Sequence, residues 1–258
     1  MRTIKAQNII KTVNLLLTSL LVLMAYADLF GQQRKPEETE VWEPVPPVVT
    51  PGVGNQPPSD AIVLFDGKNL DAWESVNGGG PAPWMVMDGY VMVKPGSGAI
   101  QTKASFGSCQ LHLEWKTPID TAGKHSQERG NSGVFLQSRY EVQVLDNFRN
   151  RTYSNGQAAS IYKQAIPQVN ACLPPGDWQR YDIFYNAPQF DSAGKLIKPA
   201  YVTVVQNGIL VENHFEIKGN TMYIGNPEYK AHGDLPLQLQ DHGNFMAFRN
   251  IWVRNIQD

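Results

Sequence analysis

Short runs of alternating polar and apolar residues, separated by turn-forming residues, fill the sequence from residue 61 onward. In Tyr140–Val144, Glu141 and Gln143 fall on one face of a predicted strand and Val142 and Val144 on the other, because side chains alternate along a strand. Asp-Gly at 88–89 and Asn-Gly at 207–208 stand between such runs and are typical of tight hairpins. The runs predict strands at 61–65, 84–87, 90–93, 110–117, 134–137, 140–145, 179–185, 200–205, 209–217, 235–240 and 245–254.

No run has the pattern of a long amphipathic helix. About a dozen short strands in ~200 residues predict an all-β fold, a two-sheet antiparallel jelly-roll sandwich. The composition agrees, since the chain has 22 glycines and 18 prolines and only 18% charged residues. Many turn formers and few charges are typical of folds with many short strands.

The N-terminus has the pattern of an export signal. Arg2, Lys5 and Lys11 precede an apolar run over 13–26, and Ala25-Tyr26-Ala27 resembles a signal peptidase site. The run, about 14 residues, is shorter than the ~20 that span a bilayer, which argues against a stable membrane anchor. The sequence therefore predicts a signal peptide at 1–27, a proline-rich linker at 28–59, a folded domain at 60–258, and a periplasmic or secreted protein.

The net charge and the cysteines exclude some classes of partner and site. Without residues 1–27 the chain keeps 19 basic and 24 acidic residues, a net charge of −5. This balance argues against nucleic acid or anionic membrane as a partner. Cys109 and Cys172 are the two cysteines of the chain and lack the C-x-x-C spacing of a zinc or redox motif. After export they either form one disulfide or stay as two buried thiols.

Three predicted strands each present polar groups on one face. His112 and Glu114 share a face of 110–117, Glu141 and Gln143 a face of 140–145, and Gln240 continues with His242 along the strand that begins at 235. Carboxylate, amide and imidazole groups bind sugars and transfer protons. The pattern predicts one concave pocket lined by Glu114, Glu141, Gln143, Gln240 and His242. An ordinary solvated sheet face is the alternative.

The spacing Glu141-x-Gln143-x-x-Asp146 resembles the E-x-D-x-x-E motif of retaining glucanases on a jelly roll. Those enzymes need two carboxylates ~5–5.5 Å apart. The middle residue here is an amide and the last acid is the shorter aspartate, which makes the ordinary retaining mechanism doubtful. Asp146 is kept as a third acid–base candidate. Asn131, in Gly130–Gly133, either belongs to a plain turn or donates hydrogen bonds into the site.

Several motifs together resemble the 3-keto-disaccharide hydrolase family, and the resemblance spans roughly residues 61–256. They are Leu64-Phe65-Asp66-Gly67-Lys68-Asn69-Leu70 with Trp73, Trp84 with Asp88-Gly89, Gly130-Asn131-Ser132-Gly133-Val134-Phe135, Tyr140-Glu141-Val142-Gln143-Val144-Leu145-Asp146, and Leu239-Gln240-Asp241-His242-Gly243 with Phe248-Arg249-Asn250-Ile251. The resemblance implies a concanavalin A-like jelly roll acting on glycosides already oxidised at C3. Many relatives have arginine where this chain has Gln137, and Arg139 is a candidate replacement.

The implied reaction removes the C2 proton, expels the C1 substituent and adds water to the unsaturated sugar. Glu141 or His242 is the expected base, and Glu114, Asn131, Arg139, Gln143 and Gln240 are expected to bind substrate. A divalent metal ion such as Ca²⁺ or Mn²⁺, held by Glu114, Glu141 and Gln143, would stabilise the enediolate, and no organic cofactor is expected. The alternative function is a non-catalytic carbohydrate-binding module or lectin, because the fold serves both roles.

Overall fold

The computed structural model describes residues 17–19 and 35–256, in two units, Met1–Val48 and Val49–Asp258. In the first unit, residues 35–48 have no regular secondary structure apart from a 3-10 turn at Pro36–Glu38. Apart from 17–19, the predicted signal peptide lies outside the described residues, as does the first part of the predicted linker. Within the described ranges no helix is long and apolar enough to cross a membrane.

The second unit is built from antiparallel strands joined by turns and loops, and contains two further 3-10 turns, Ser126–Glu128 and Ser154–Gly156. Its described strands are β1 (Ile62–Phe65), β2 (Trp73–Ser75), β3 (Met85–Met87), β4 (Tyr90–Met92), β5 (Ile100–Phe106), β6 (Cys109–Lys116), β7 (Ser132–Leu136), β8 (Tyr140–Val144), β9 (Gln179–Asn186), β10 (Gln189–Phe190), β11 (Leu196–Lys198), β12 (Tyr201–Gln206), β13 (Ile209–Glu216), β14 (Leu235–Leu239) and β15 (Ala247–Asn255).

Two large sheets form the sandwich, which confirms the predicted all-β fold. One has eight strands in the order β13-β12-β9-β6-β15-β4-β3, with β1 also paired to β15. The other has five strands in the order β2-β5-β14-β7-β8, and β10 and β11 form a separate hairpin. Strands β7 and β8 are in register from Ser132 opposite Val144 to Leu136 opposite Tyr140. This register fixes which side chains meet on each face of the five-stranded sheet.

The core consists of the apolar faces of both sheets. Leu113 and Trp115 of β6 are buried, as are Val142 and Val144 of β8. Trp115 packs edge-on against Tyr181 of β9, with ring centroids 5.2 Å apart. Burial of apolar surface stabilises by ~25 cal/mol per Å², so these faces hold the strands in register. The polar residues of β8 must consequently point away from this core.

Eleven of the strands were predicted from the alternation of apolar and polar residues, and four were not: β2, β5, β10 and β11. Strand β5 has four polar or small residues in a row between Gln101 and Phe106 and lacks strict alternation. The side chain of Thr102 accounts for the irregular pairing of this strand with β14. Its hydroxyl donates to the carbonyl of Ala104 at 2.6 Å and accepts a hydrogen bond from the backbone N–H of Leu237 at 3.0 Å. The side chain thus takes part in pairing across an irregular register.

The compact unit begins at Val49, so residues 49–59 of the predicted linker belong to it. Asn55 shows how this segment is fastened. Its side-chain amide donates to Glu114 at 3.1 Å, and its carbonyl oxygen accepts the side-chain amide of Asn250 at 2.7 Å. The segment therefore lies on the outer face of the eight-stranded sheet.

The two cysteines are free thiols. Cys109 is buried on β6, and burial raises the pKa of its thiol to about 12. Cys172 accepts a hydrogen bond from the side-chain amide of Gln206 at 3.3 Å, and burial raises its pKa to about 11. Of the two alternatives left open by the sequence, the structure has the unbridged thiols.

Candidate active site

A cavity of ≈ 300 Å³ opens on the face of the five-stranded sheet that points away from the core. Glu141 and Gln143 reach it from β8, opposite to the buried Val142 and Val144. Neighbouring strands and loops complete it, and its lining residues are Gln127, Asn131, Phe135, Glu141, Gln143, Tyr162, Thr221, Tyr223, Gln240 and His242. The structure therefore brings Asn131, Glu141, Gln143, Gln240 and His242 together around one pocket.

Glu141 is the acidic residue of this lining. Its side chain is almost fully buried, and burial raises the pKa of the carboxyl to about 8. The Gln143 amide, turned so that its nitrogen faces acceptors, lies 3.0 Å from Oε1 of Glu141 and 3.1 Å from the carbonyl oxygen of Ser132. A carboxyl without a cation beside it, in a desolvated position, holds its proton more tightly and is a stronger base once that proton is lost.

Gly133 provides the space for this carboxyl. It faces Gln143 across the ladder between β7 and β8, next to Val134, which pairs with Val142. A methyl group at position 133 would collide with Oε1 of Glu141 and would lie 3.0 Å from its carboxyl carbon. Gly133 is thus required for the present position of the Glu141 carboxyl, and its backbone does not adopt a positive φ.

A network of amides holds the loop that covers the pocket. Asn131 donates through Nδ2 to the carbonyl oxygen of Gln127 at 2.9 Å and to its Oε1 at 3.2 Å. Gln127 in turn donates to Thr152 at 2.9 Å and to the carbonyl oxygen of Gly156 at 2.8 Å. Asn131 therefore lines the pocket but uses its amide nitrogen to fix the loop.

Residues 159–162 run beside β8 as an irregular extra edge. The backbone N–H of Gln143 donates to the backbone carbonyl of Ser160 at 3.0 Å, and the backbone N–H of Tyr162 donates to the backbone carbonyl of Glu141 at 3.2 Å. Along the same edge, Thr221 Oγ1 accepts the backbone amide of Glu141 at 2.9 Å. These bonds place Tyr162 and Thr221 next to Glu141.

The opposite wall carries Gln240 and His242. The amide of Gln240 donates to the carbonyl of Gly133 at 3.0 Å, and Ser132 donates through Oγ to the carbonyl of Gln240 at 2.7 Å. Oε1 of Gln240 is buried and has no hydrogen-bond partner among the described residues, so it is available to a substrate hydroxyl. His242 is exposed at the rim, in a turn that Asp241 fixes by accepting the amides of Gly98 and Gly243 at 3.0 and 2.9 Å.

Glu114 does not belong to this pocket, which corrects the prediction. It lies on β6 of the eight-stranded sheet and borders a different cavity, of ≈ 710 Å³. Arg249 donates to it through Nε at 2.6 Å, and Asn250 donates at 3.1 Å. Burial alone would raise the pKa of Glu114, but these hydrogen bonds outweigh it and lower the pKa. The alternation of residues predicted on which face of β6 the Glu114 side chain lies. It did not predict to which sheet β6 belongs.

Asp146 and Arg139 are also absent from the lining. Asp146 is buried beyond the end of β8, where Arg129 donates to it through Nε at 2.9 Å and the amide of Phe148 at 3.0 Å. Arg139 lies in the turn between β7 and β8, and its amide donates to the carbonyl of Leu136 at 3.0 Å. Gln137 is a structural residue of the same turn, since it donates to the carbonyl of Phe106 and accepts from Tyr185. Arg139 consequently does not replace a substrate contact at position 137.

The sequence pattern did not predict the tyrosines at the pocket. Tyr162 and Tyr223 line it, and Tyr153 hydrogen-bonds to Tyr162 through their hydroxyl groups at 2.6 Å. All three tyrosines lie in irregular segments between strands, where no periodic pattern reveals which way a side chain points. The backbone bonds from 159–162 to β8 bring Tyr162 to the site.

Known proteins resemble the chain in sequence and in structure. The family described as 3-keto-alpha-glucoside-1,2-lyase-like domain matches residues 60–254. The structure of a proposed glycosyl hydrolase of Parabacteroides distasonis has a TM-score of 0.83 and 52% identity, covering 87% of this chain and 98% of that chain. Two further proposed glycosyl hydrolases of that organism share the fold, at 21% and 22% identity, with TM-scores of 0.55 and 0.54 and coverage of 77% and 76% of this chain and 94% and 99% of theirs. No protein with a curated description matches the chain.

Proposed function

Because the chain belongs to the 3-keto-alpha-glucoside-1,2-lyase-like family and is a carbohydrate-active enzyme, we propose that it cleaves the glycosidic bond of 3-keto glycosides by elimination. The ketone at C3 acidifies the hydrogen at C2. A base removes that proton, the C1 substituent leaves, and water adds to the unsaturated sugar.

One observation supports elimination over ordinary hydrolysis: the residues that line the pocket include a single carboxyl group, that of Glu141. A retaining glycosidase needs a nucleophile and an acid ~5–5.5 Å apart, and an inverting enzyme also needs two carboxyl groups. Asp146, the other acid of the glucanase-like spacing, is bound to Arg129 outside the lining. One carboxyl suffices for removing a proton from carbon.

Glu141 is the proposed base. Its pKa, raised to about 8 by burial, makes the carboxylate a better acceptor for a carbon-bound proton than an ordinary carboxylate. The free Oε1 of Gln240 accepts from a sugar hydroxyl, and the Gln143 amide fixes the position of the Glu141 carboxyl. A binding module has no need for a buried carboxyl without a cationic partner, so this feature favours the enzyme over the lectin alternative.

The metal ligand set predicted from the sequence is not assembled, because Glu114 lies on the other sheet from Glu141 and Gln143. Within residues 17–19 and 35–256, no group of three or more histidine, cysteine or acidic residues is placed to hold a metal ion. The pocket has one carboxyl, which burial keeps protonated at neutral pH, and its donors do not fit a divalent cation. No step of the proposed reaction passes through one. Turnover measured with and without a chelator tests whether the reaction depends on a cation.

The proposed base has a defined pH dependence. A carboxyl with a pKa of about 8 changes from acid to carboxylate as the pH rises through that value. We expect kcat/KM to increase from pH 6 and to level off above about pH 8, because kcat/KM reports the free enzyme. Initial rates on a 3-keto disaccharide across this range measure it. A decline of kcat/KM through pH 8 contradicts the assignment and makes Glu141 an acid.

We also propose that the protein is exported to the periplasm or secreted, on the pattern of its first 27 residues. Signal peptidase should cleave after Ala27. Mass spectrometry of the N-terminal peptide from the expressing cell tests this, and the mature chain is expected to begin at Asp28. A protein that keeps residues 1–27 contradicts the proposal.

A further inference from the structure

Two tyrosines connect the pocket to solvent. Tyr162 lines the cavity, and its hydroxyl lies 2.6 Å from that of Tyr153. Tyr153 is 39% exposed, whereas the carboxyl of Glu141 beside the pair is buried. A chain of two hydroxyl groups thus runs from the pocket wall to the protein surface.

The position of this pair is built into the fold. The amide of Tyr162 is bound to the carbonyl of Glu141, and Ile161 bridges to Val142 of β8. The ring of Tyr153 lies against Gly156, where any side chain would collide with it. Gly156 itself is held by Gln127 of the amide network, at 2.8 Å. The sheet and the covering loop together determine where the two hydroxyls meet.

The two tyrosine hydroxyls can donate hydrogen bonds, and a lysine lies close to them. Burial raises the pKa of Tyr153 and of Tyr162, and both hydroxyls are protonated at neutral pH, as an ordinary tyrosine hydroxyl is. When two neutral hydroxyls share one hydrogen bond, one donates to the other, and the acceptor keeps a proton for a third group. Lys163 hydrogen-bonds to the carbonyl of Tyr223 and has its Nζ 4.1 Å from that ring centroid and 5.7 Å from that of Tyr162. Its positive charge stabilises negative charge that develops on this side of the pocket.

We propose that Tyr162 is the catalytic acid that protonates the departing oxygen, and that Tyr153 passes the replacement proton inward from water. The inference rests on the proposed elimination. The C2–H bond breaks with its proton moving to Glu141, and its electron pair forms the C1–C2 double bond. The C1–O bond breaks, and the departing oxygen takes the proton of Tyr162. Tyr162 takes the proton of Tyr153, which takes one from water, while Glu141 returns its proton to water.

The dependence on the leaving group tests this role. A sugar alkoxide needs a proton as it departs, whereas 4-nitrophenolate is stable without one. For Tyr162→Phe we expect turnover of a 3-keto disaccharide to fall at least about tenfold, within the usual scale for an acid–base group. Turnover of 4-nitrophenyl 3-keto-glucoside is expected to stay near the parent rate. Tyr153→Phe should show the same selectivity with a smaller loss, because water can replace its hydroxyl.

Tyr201→Phe is the matched control, since Tyr201 hydrogen-bonds to Glu216 on the other sheet, and we expect neither substrate to be affected. Equal losses on both substrates for Tyr162→Phe would show a merely structural role and overturn the inference. Parent rates on both would do the same and would mean that Glu141 returns the proton itself. If the parent protein cleaves neither substrate, the proposed function fails, and this inference with it.

Discussion

Replacing Glu141 by glutamine should lower the turnover of a 3-keto glycoside by ~10²-fold or more, the usual loss when an acid–base group is removed. Glutamine has the shape of glutamate and fits the space left by Gly133, but it cannot accept a proton from carbon. The measurement is kcat on a saturating 3-keto disaccharide, with circular dichroism to confirm folding. A folded Glu141→Gln variant with the parent kcat contradicts the assignment.

Glu212→Gln is the matched control for this variant. Glu212 is another buried carboxyl, on β13 outside the pocket, and burial raises its pKa to about 7. We expect this variant to keep the parent kcat. The same assay on His242→Ala separates the two candidate bases. If His242 were the base, its replacement would lower kcat by the larger factor and Glu141→Gln by the smaller.

The difference in stability between the parent and Glu141→Gln should change with pH in a defined direction. The pKa of Glu141 is about 8 in the folded protein and ordinary in the unfolded chain, so the folded state binds the extra proton between about 4.5 and 8. The parent consequently loses stability as the pH rises through this window. Glutamine does not ionise, so Glu141→Gln should match the parent near pH 5 and unfold at a higher temperature than the parent near pH 9.

Replacing Gly133 by alanine should lower turnover by ~10²-fold or more, because an active-site group displaced by about 1 Å can cost that much. The added methyl carbon would lie too close to Oε1 of Glu141, so the carboxyl must move. The backbone at 133 has no positive φ, and alanine introduces no backbone strain there. The expected result is a folded protein with low kcat.

Gly233→Ala is the control for this change, since it is the same substitution at a position without a positive φ where a methyl group meets nothing. It should leave kcat unchanged. Adding Glu141→Asp to Gly133→Ala should recover part of the activity, because the shorter side chain makes room for the methyl group. No recovery, with Glu141→Asp alone still active, would show that the methyl group acts by another route.

Alternation of apolar and polar residues predicted most of the sandwich because most strands have one buried face. In β8, Val142 and Val144 mark the core and thereby indicate the direction of Glu141 and Gln143. Strand β5 was not predicted, because the hydroxyl of Thr102 takes part in its pairing with β14 and the strand register shifts beside this bond. The strand pattern carries no information about such a side-chain bond.

The sequence predicted the pocket residues that lie on strands or directly beside them, and it missed those in the longer loops. Glu141, Gln143 and Gln240 follow from alternation, and the structure brings them together with Asn131 and His242. Glu114 was misplaced because a strand pattern does not say to which sheet the strand belongs. Asp146 was misjudged because alternation ends with β8, and its partner Arg129 lies in a loop. Tyr162 is brought in by backbone bonds between 159–162 and β8, and no strand pattern indicates such bonds.

Elimination is the central claim, and the hydrogen at C2 tests it most directly. A 3-keto disaccharide that carries deuterium at C2 is incubated with the protein, and the sugar released and the deuterium lost to water are followed together by mass spectrometry. The unoxidised disaccharide and a reaction without protein serve as controls. We expect one deuterium to be lost for each bond cleaved, and no cleavage of the unoxidised sugar. Cleavage that leaves the deuterium at C2 would contradict the account, because displacement at C1 does not break the C2–H bond.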